Sequence, residues 1–546
     1  MLLKLDESPH EHIRGEQFPQ DHTRLPGLNR SMIALRRRYI DAGPTIREIV
    51  EETVRDMPRV LIDTTTGCLN DKRQQAEALE ALPVYCELVS SMTTELDYGR
   101  IQRVVKEFYR YVMFSHRWQP DEPTFQLVQT TPIYGLPSSP GNIKLQRFCD
   151  LVRSLRFKWA WSDTCCVNQL DKGVQQESLV AMFRWYRGSS LTVVHLLGVL
   201  SESQEFGCLW RSIWNTRGWT YQEYIASEVV QFYTEDWKPY LGLDTFNHKE
   251  SPTILSEMEQ AMNLAIQDVA TLCPGLDRAR EKLYLASARK TTREEDIAYS
   301  LFGVFDTAIP VMYGEGNQAV GRLLEHVLSG SGDVTILAWT GTSGRYNSCL
   351  PAGLTVYNQI VPPHVPQPIQ TTEMDNMVTT LRSSLPDLSL AVTLHNHVDG
   401  LQSPSLLASR LRLPGIVFRL TDLVHTSGPG PMTTRRTYHV STSMLGDIEF
   451  ETVENLTGMT DLYLVHPWIR PILDQEFSHG AAALDRITQA LRLVVRVRQP
   501  FGALLFRALS RVEYRRVATD SLIMAQVREE APLTDLISNI RTIEVQ

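Results

Sequence analysis

Three short segments carry polar and aromatic side chains where a plain protein core would contain valine, isoleucine and leucine. They are SHRW (115–118), DTCCVNQ (163–169) and RGWTYQE (217–223). The first two end predicted strands, and the third lies in a predicted helix before another strand. Ligands of alternating α/β proteins bind beyond the carboxyl ends of parallel strands, so these side chains are candidate binding or catalytic groups. A structural explanation competes, because Asp163 and Asn168 can shape a turn and the tryptophans can pack in the core.

Other reactive combinations are weaker candidates. The cysteines at 165–166 could join His116 and Asp163 in a nucleophile set, but buried cysteines on strands are commoner than reactive ones. No cysteine and histidine pair has the usual zinc spacing, so we predict no metal site. The segment GEGNQA (314–319) resembles a dinucleotide fingerprint, yet no βαβ unit with a ribose-binding acid follows it. A loop at a helix N-terminus is the preferred explanation.

Strand and helix patterns alternate in the part of the chain that contains the three segments. Short apolar runs typical of buried strands occupy 111–115, 158–167, 191–200 and 228–233. Between them, apolar residues recur at the three- and four-residue spacing of amphipathic helices. This alternation favours βαβ crossovers, and it predicts an α/β fold with a mostly parallel sheet.

The flanking regions have a different character. Residues 1–104 are mixed and partly helical, 105–240 form the predicted core, and 241–345 are a helical extension. Residues 346–546 are predicted to be β-rich, although their role is unknown. Their expected strands lie at 388–394, 415–420, 436–441, 462–465 and 491–497.

Composition excludes several classes of protein. The chain has 546 residues, of which 43% are hydrophobic and 21% charged, as in a folded multidomain protein. The formal net charge of −9 is thinly spread, which disfavours nucleic-acid binding. No apolar stretch is long enough for a membrane span, and the N-terminus lacks a signal-peptide core. We therefore predict a cytoplasmic protein whose eight cysteines are reduced.

The polar segments resemble the heterokaryon incompatibility (HET) domain of filamentous fungi, in the form common in mushroom-forming species. The resemblance covers residues 105–330 and departs at His116, where many family members have tyrosine. It rests on six segments in family order: YVMFSHRW (111–118), WAWSDTCCVN (159–168), MFRWYR (182–187), RGWTYQE (217–223), DIAYSLFG (296–303) and YGEG (313–316).

The resemblance implies a function in non-self recognition. HET domains stop growth or kill the cell when genetically different hyphae fuse. Their fold is similar to the flavodoxin-like Toll/interleukin-1 receptor (TIR) domain, and some TIR domains cleave NAD⁺ to nicotinamide and ADP-ribose. In those enzymes the first strand ends in a run similar to MFSHR (113–117), and a glutamate follows a tryptophan by four residues, as Glu223 follows Trp219.

That similarity implies a set of roles. Glu223 is the candidate catalytic carboxylate, Arg117 a pyrophosphate contact, and Trp118 or Trp219 an aromatic surface. NAD⁺ is the candidate substrate, and no cofactor or metal is required. Self-association through the HET domain is expected, with an unidentified protein partner or trigger and no nucleic acid or membrane. The full set of candidate nucleotide-binding residues is Ser115, His116, Arg117, Trp118, Asp163, Asn168, Trp219 and Gln222.

Two alternatives stay open. The HET domain could signal by assembly alone without catalysis, or the chain could be an inactive paralogue. Glu223 also has structural explanations, since it could pair with Arg217 or cap its helix, and Trp219 could belong to the core.

Overall fold

The computed structural model describes most of the chain beyond its first forty residues. The described residues are 41–90, 95–262, 273–307, 309–358, 369, 371–426, 435–468 and 485–546. Internal contacts divide them into two compact units. The first unit comprises 41–53 and 74–108, and the second comprises 54–73 and everything described from 109 onward. The first unit is built from helices α1 (Gly43–Arg55), α2 (Lys72–Glu80), α3 (Pro83–Ser90) and α4 (Tyr98–Phe108).

A six-stranded sheet forms the α/β part of the second unit. Its strands are β1 (Val60–Asp63), β2 (Leu69–Asp71), β3 (Tyr111–Ser115), β4 (Trp159–Trp161), β5 (Leu191–Leu196) and β6 (Val230–Thr234). The spatial order is β2-β1-β4-β3-β5-β6. Strands β4, β3, β5 and β6 run parallel to one another, whereas β1 pairs antiparallel with both β2 and β4. The predicted mixed α/β fold with parallel strands is therefore confirmed.

Each parallel strand is followed by a helical connection, as the alternating pattern predicted. The helices are α5 (Phe125–Thr130), α6 (Pro140–Ser154), α7 (Lys172–Arg187), α8 (Cys208–Arg211) and α9 (Gly218–Ala226). From β3 the chain crosses through α6 to β4 on one side, and later through α7 to β5 on the other side. This reversal makes the carboxyl end of β3 a topological switch point, which is where open α/β sheets bind ligands.

The sequence does not predict the hairpin of β1 and β2, because the residues before 104 show only a mixed, partly helical pattern. Strand β2 is three residues long, LND, and carries no apolar alternation. Its placement depends on β1, which is buried and pairs with β4. The proposed domain boundaries remain a prediction.

Helices dominate the segment between the α/β sheet and the C-terminal region. They are α10 (Pro252–Met262), α11 (Ala279–Ser287), α12 (Asp296–Tyr299) and α13 (Gln318–Ser331). Single 3-10 turns occur at Ile133–Gly135, Trp214–Thr216, Tyr240–Gly242, His248–Glu250, Val334–Leu337 and Leu354–Tyr357. Within the helical extension predicted for 241–345, α10 ends at Met262, and residues 263–272 lie outside the described residues.

The C-terminal region is β-rich, as predicted. It contains β7 (Ser405–Leu407), β8 (Arg410–Arg419), β9 (Asp422–Thr426), β10 (Arg436–Ser441), β11 (Ile448–Thr452), β12 (Leu462–Pro467), β13 (Phe501–Ala508), β14 (Glu513–Arg516), β15 (Ile523–Ala525) and β16 (Ile540–Val545). Strands β9, β10 and β11 form a separate sheet. Strands β12, β13, β14, β16 and β8 pair in a closed circuit, because β8 also pairs with β12. Closure satisfies backbone groups that an open edge would expose.

Two of the five expected C-terminal strands are helices instead. The described helices of this region are α14 (Thr371–Ser384), α15 (Leu388–Asp399), α16 (Arg486–Val497) and α17 (Leu533–Ser538). The runs at 388–394 and 491–497 lie within α15 and α16. Periodicity alone does not separate a short buried strand from a buried helix. The decisive signals were the N-caps, because Asp387 and Asp485 accept hydrogen bonds from the amides of Ser389 and Thr488.

A glycine in the helical segment permits close packing against α7. A Cβ atom at Gly303 would overlap the ring of Phe183, which is buried. We predict that Gly303→Ala lowers the free energy of unfolding by about 1–3 kcal/mol, since an overpacked core must shift. Gly353→Ala is the matched control, because its Cβ would meet nothing within 4 Å. Equal chemical-denaturation midpoints for the two variants would contradict this packing.

Candidate functional site

The carboxyl end of β3 joins β3 to α9 through a buried hydrogen-bonded cluster. The Ser115 hydroxyl donates a hydrogen bond to the Glu223 carboxylate and accepts one from the indole of Trp214, with Nε1 and Oγ 2.7 Å apart. Glu223 is only 6% exposed. Nearby, the Tyr186 hydroxyl donates to the Phe114 carbonyl at 3.1 Å. Two predicted site residues, Ser115 and Glu223, are therefore in direct contact at the topological switch point.

Glu223 has neither of the two structural roles considered for it. It lies inside α9, whose N-cap residue is Arg217. The Arg217 guanidinium donates to the backbone carbonyl of His116 at 3.1 Å, and the described residues show no ion pair between Arg217 and Glu223. Arg217 still acts on the carboxylate through its charge. The carboxylate oxygen that faces the strand is held by Ser115.

Two carboxyl groups of the site have raised pKa values. Burial, reinforced by the charge of Asp163, raises the pKa of Glu223 to about 7. The Ser115 hydrogen bond, Arg217 and Tyr186 oppose that rise. Burial likewise raises the pKa of Asp163 to about 6, against the opposing effects of Arg217 and a hydrogen bond from Trp118. Both groups therefore change protonation state near neutral pH, a property that is common at functional sites.

Trp118 and Asp163 contact each other at the more open side of the cluster. The Trp118 indole donates to Asp163 Oδ2 at 2.7 Å, although the residue is 42% exposed. Arg117 is also exposed, and its guanidinium has no hydrogen-bond partner among the described residues. This arrangement leaves a fixed aromatic ring at the solvent side of the two carboxyl groups.

Asn168 has the turn-forming role that was considered for it. Its side-chain oxygen accepts hydrogen bonds from Gln126 Nε2 at 2.7 Å and from the Leu170 amide at 3.1 Å. The neighbouring Gln169 side chain donates to the Asp163 carbonyl at 3.2 Å. These contacts shape the turn after β4 and so fix the position of Asp163.

His116 lies on the opposite face of the sheet from Ser115, because successive side chains of a strand alternate. Its ring stacks on Phe114 with the centroids 4.1 Å apart, and its Nε2 is 3.8 Å from a Glu122 oxygen. Burial lowers the pKa of His116 well below its ordinary value, so the ring is neutral. It is therefore separated from Glu223 by the strand itself.

A buried ion pair holds the loop that carries Arg117 and Trp118. Lys144, on α6, pairs with Glu122 and also donates to the carbonyl of Arg117 at 2.9 Å. Both side chains are buried. Sequence reasoning missed this pair, because lysine on an amphipathic helix normally marks the solvated face. The available signal was the position of Lys144 beside the buried stripe of α6.

Trp219 and Gln222 lie on α9 but do not contact the Ser115 cluster directly in the described structure. The half-buried indole of Trp219 interacts with the carboxylate of Asp296 in the helical segment. Gln222 is buried, and its side-chain nitrogen has no hydrogen-bond partner among the described residues. The start of α9 is fixed by Arg289, which donates to the Arg217 carbonyl at 3.0 Å and to Asn215 Oδ1 at 2.7 Å.

The weaker constellations have structural roles. Cys165 is buried, and contact with Cys166 together with burial raises the pKa of its thiol, so it is a poor nucleophile. The amides of Gly314 and Gly316 donate to Glu295 at 2.8 and 3.2 Å, which occupies the loop that resembled a dinucleotide fingerprint. Across the ranges that the structure describes, no group of three histidine, cysteine, aspartate or glutamate side chains is arranged to hold a metal ion.

Comparison with known proteins identifies the α/β part of the chain. Residues 111–209 match the family model "Heterokaryon incompatibility protein (HET)". This segment of the chain is therefore a HET domain. The matched range contains Ser115 and Asp163 and ends before α9.

Part of the chain is similar to the vegetative incompatibility protein HET-E-1 of Podospora anserina. It is 30% identical over 226 residues, which are 40% of this chain but only 16% of that protein. No solved structure is a significant match. None of the helices in the described ranges combines the length and apolar character that a membrane crossing requires.

The raised pKa of Glu223 has a measurable effect on stability. When the pKa of a carboxyl group is higher in the folded state than in the unfolded state, its contribution to stability is present at acidic pH. That contribution is lost as the pH rises from the ordinary pKa of a glutamate to the folded-state pKa of about 7. We predict that Glu223→Gln gains stability relative to the wild type between pH 5 and pH 8, on the order of 3 kcal/mol.

The measurement is the urea midpoint of both proteins at several pH values. Glu228→Gln is the matched control, since Glu228 is exposed just beyond the same helix. If the difference between Glu223→Gln and the wild type did not change with pH, Glu223 would titrate normally.

Proposed function

We propose that the chain acts in heterokaryon incompatibility and that its HET domain cleaves NAD⁺ at the glycosidic bond to nicotinamide. The observation that carries this proposal is the buried Ser115–Glu223 hydrogen bond at the carboxyl end of β3. The order of the parallel strands, 2-1-3-4 when counted from β3, supports it, because flavodoxin-like folds have this order and bind ligands at the same switch point. The incompatibility role follows from the similarity to HET-E-1.

The residues present suit the chemistry. Cleavage breaks the bond between the ribose C1′ and the pyridinium nitrogen, and the bonding electrons leave with neutral nicotinamide. Departure therefore requires no general acid. Ionised Glu223 would stabilise the positive charge that develops on the ribose. Water then supplies a hydroxyl group to C1′, and its proton passes through the carboxylate to solvent.

The exposed Arg117 is suited to the pyrophosphate, because a planar guanidinium matches phosphate oxygens in pairs. Glu223 is only 6% exposed, so a substrate reaches it after neighbouring side chains rearrange. We propose that self-association of the HET domain accompanies this rearrangement. Turnover should then rise more steeply than protein concentration.

The decisive experiment follows NAD⁺ loss and nicotinamide release by the full chain over a range of protein concentrations. We expect Glu223→Gln to reduce the rate by about 10²-fold or more, because the substitution removes the charge that stabilises the transition state. Glu228→Gln is the control for loss of one exposed carboxylate. Its rate should equal that of the wild type.

Two outcomes would contradict the enzymatic proposal. One is the absence of NAD⁺ loss at the highest concentration, where the chain is assembled. The other is a Glu223→Gln rate equal to that of the wild type. The first outcome would refute the hydrolase, and the second would refute the role of Glu223. If the wild type caused no NAD⁺ loss but still stopped the growth of a fungal host, the HET domain would act as a non-catalytic assembly module.

Ser115 should tune the pH dependence of this reaction. Its hydrogen bond lowers the pKa of Glu223, so Ser115→Ala should raise that pKa. Because the reaction needs the ionised carboxylate, the acidic limb of the rate profile should move to higher pH in the variant. Ser203→Ala, at an exposed serine, should leave the profile unchanged. A Ser115→Ala profile that coincides with the wild type would show that the limb reports another group.

A further inference from the structure

Cations act on Glu223 and Asp163 from a distance, but none in the described part of the chain is paired directly with either carboxyl group. Arg217 is the cation that acts most strongly on Asp163, and it also acts on Glu223. Lys144 is already paired with Glu122. Arg289 also acts on Glu223, but its guanidinium donates its hydrogen bonds to uncharged oxygens. Among the described residues, neither carboxylate forms an ion pair, so an ionised Asp163 has no cation in direct contact with it. A partly buried negative charge of this kind is costly unless a positive group approaches it.

The exposed ring beside this charge has the form of a cation-binding surface. Trp118 is held at its edge by the hydrogen bond to Asp163, while 42% of the residue remains exposed. Its backbone is held as well, because Lys144 binds the carbonyl of Arg117. A fixed indole face attracts cations, and an adjacent carboxylate strengthens that attraction. Burial increases from Trp118 through Asp163 to Glu223, which defines a direction of entry.

We propose that Trp118 and Asp163 form a subsite for a positively charged aromatic ring, namely the pyridinium of an oxidised nicotinamide nucleotide. The inference rests on the proposed function, and it names the feature by which the site would select its substrate. The reduced nucleotide has the same phosphates and ribose but an uncharged ring. Arg117 would bind either form equally, so Asp163 determines the preference for the oxidised one.

The subsite should depend on pH in a defined direction. The charged groups that face Asp163 are Glu122 from the loop before α5, Lys144 from α6, and Arg217 and Glu223 from α9 and its N-cap. The titratable groups Tyr186, from α7, and Cys165, from the turn after β4, also face it. Burial raises the pKa of Tyr186, and contact with Cys166 together with burial raises that of Cys165, so both stay protonated in this pH range. Asp163 has a pKa of about 6, so it is mostly protonated at pH 5 and ionised at pH 8. Affinity for a cation should therefore rise about tenfold over that interval.

The test uses two small probes that the enzyme does not need to cleave. 1-Methylnicotinamide carries the pyridinium charge, whereas nicotinamide has the same carboxamide ring without it. Binding to the full chain is measured by calorimetry and by quenching of tryptophan fluorescence, from pH 5 to pH 8. We expect the wild type to bind 1-methylnicotinamide about tenfold more tightly than nicotinamide at pH 8, and we expect this preference to be lost at pH 5.

Asp163→Asn should abolish the preference, since asparagine can still accept the Trp118 hydrogen bond but carries no charge. Asp150→Asn is the matched control, because it removes a carboxylate from the exposed side of α6. Equal affinities of the wild type for the two probes at pH 8 would overturn the proposal, whether or not the variant folds. So would an unchanged preference in folded Asp163→Asn.

The binding test of the subsite and the cleavage test of the proposed function can fail independently. Preference for the cation without NAD⁺ cleavage would keep the subsite and refute the hydrolase. Cleavage that depends on Glu223 with no preference for the cation would keep the hydrolase and refute the role of Asp163.

Discussion

The geometry of the site depends on the hydroxyl group of Ser115. This single oxygen accepts the indole hydrogen of Trp214 and donates its own hydrogen to Glu223, so it connects the end of β3 to α9. A hydroxyl that both donates and accepts can satisfy two buried groups at once. Without it, the carboxylate and the indole would each lose a partner in a region with little access to water. The connection also places Glu223 at the point where the strand order reverses.

Strand alternation divides the functions of neighbouring residues between two faces of the sheet. Ser115 faces the carboxylate, whereas His116 faces α6 and stacks in an aromatic core with Phe114. On that second face the buried pair of Lys144 and Glu122 holds the loop that follows β3. The face of the sheet that carries His116 and α6 therefore positions Trp118. That indole in turn contacts Asp163 on the side open to solvent.

Much of the α/β fold could be predicted, because apolar runs such as those of β3 and β5 are short, buried and separated by helical stripes. Glu223 was predicted as a site residue from its spacing after Trp219 in the family motif, and Asp163 from its position at the end of a predicted strand. The hairpin of β1 and β2 was not, since its pairing is set by tertiary contact rather than by local pattern. Parts of α15 and α16 were wrongly predicted as strands, because the prediction considered their apolar runs and not the N-capping aspartates that precede them. The burial of Lys144 was not predicted for a related reason, because it depends on the partner Glu122 from a different element.

The protonation states of the cluster argue against a purely structural role. Glutamine at 223 or asparagine at 163 could accept the same hydrogen bonds from Ser115 or Trp118, and an amide is not penalised for carrying charge. Two ionisable groups with raised pKa values instead reduce stability above neutral pH. Under the proposed function, that loss is offset when a cation occupies the site or when positive charge develops there during the reaction. The same feature therefore links the stability of the fold, the preference for a charged ring and the proposed cleavage of NAD⁺.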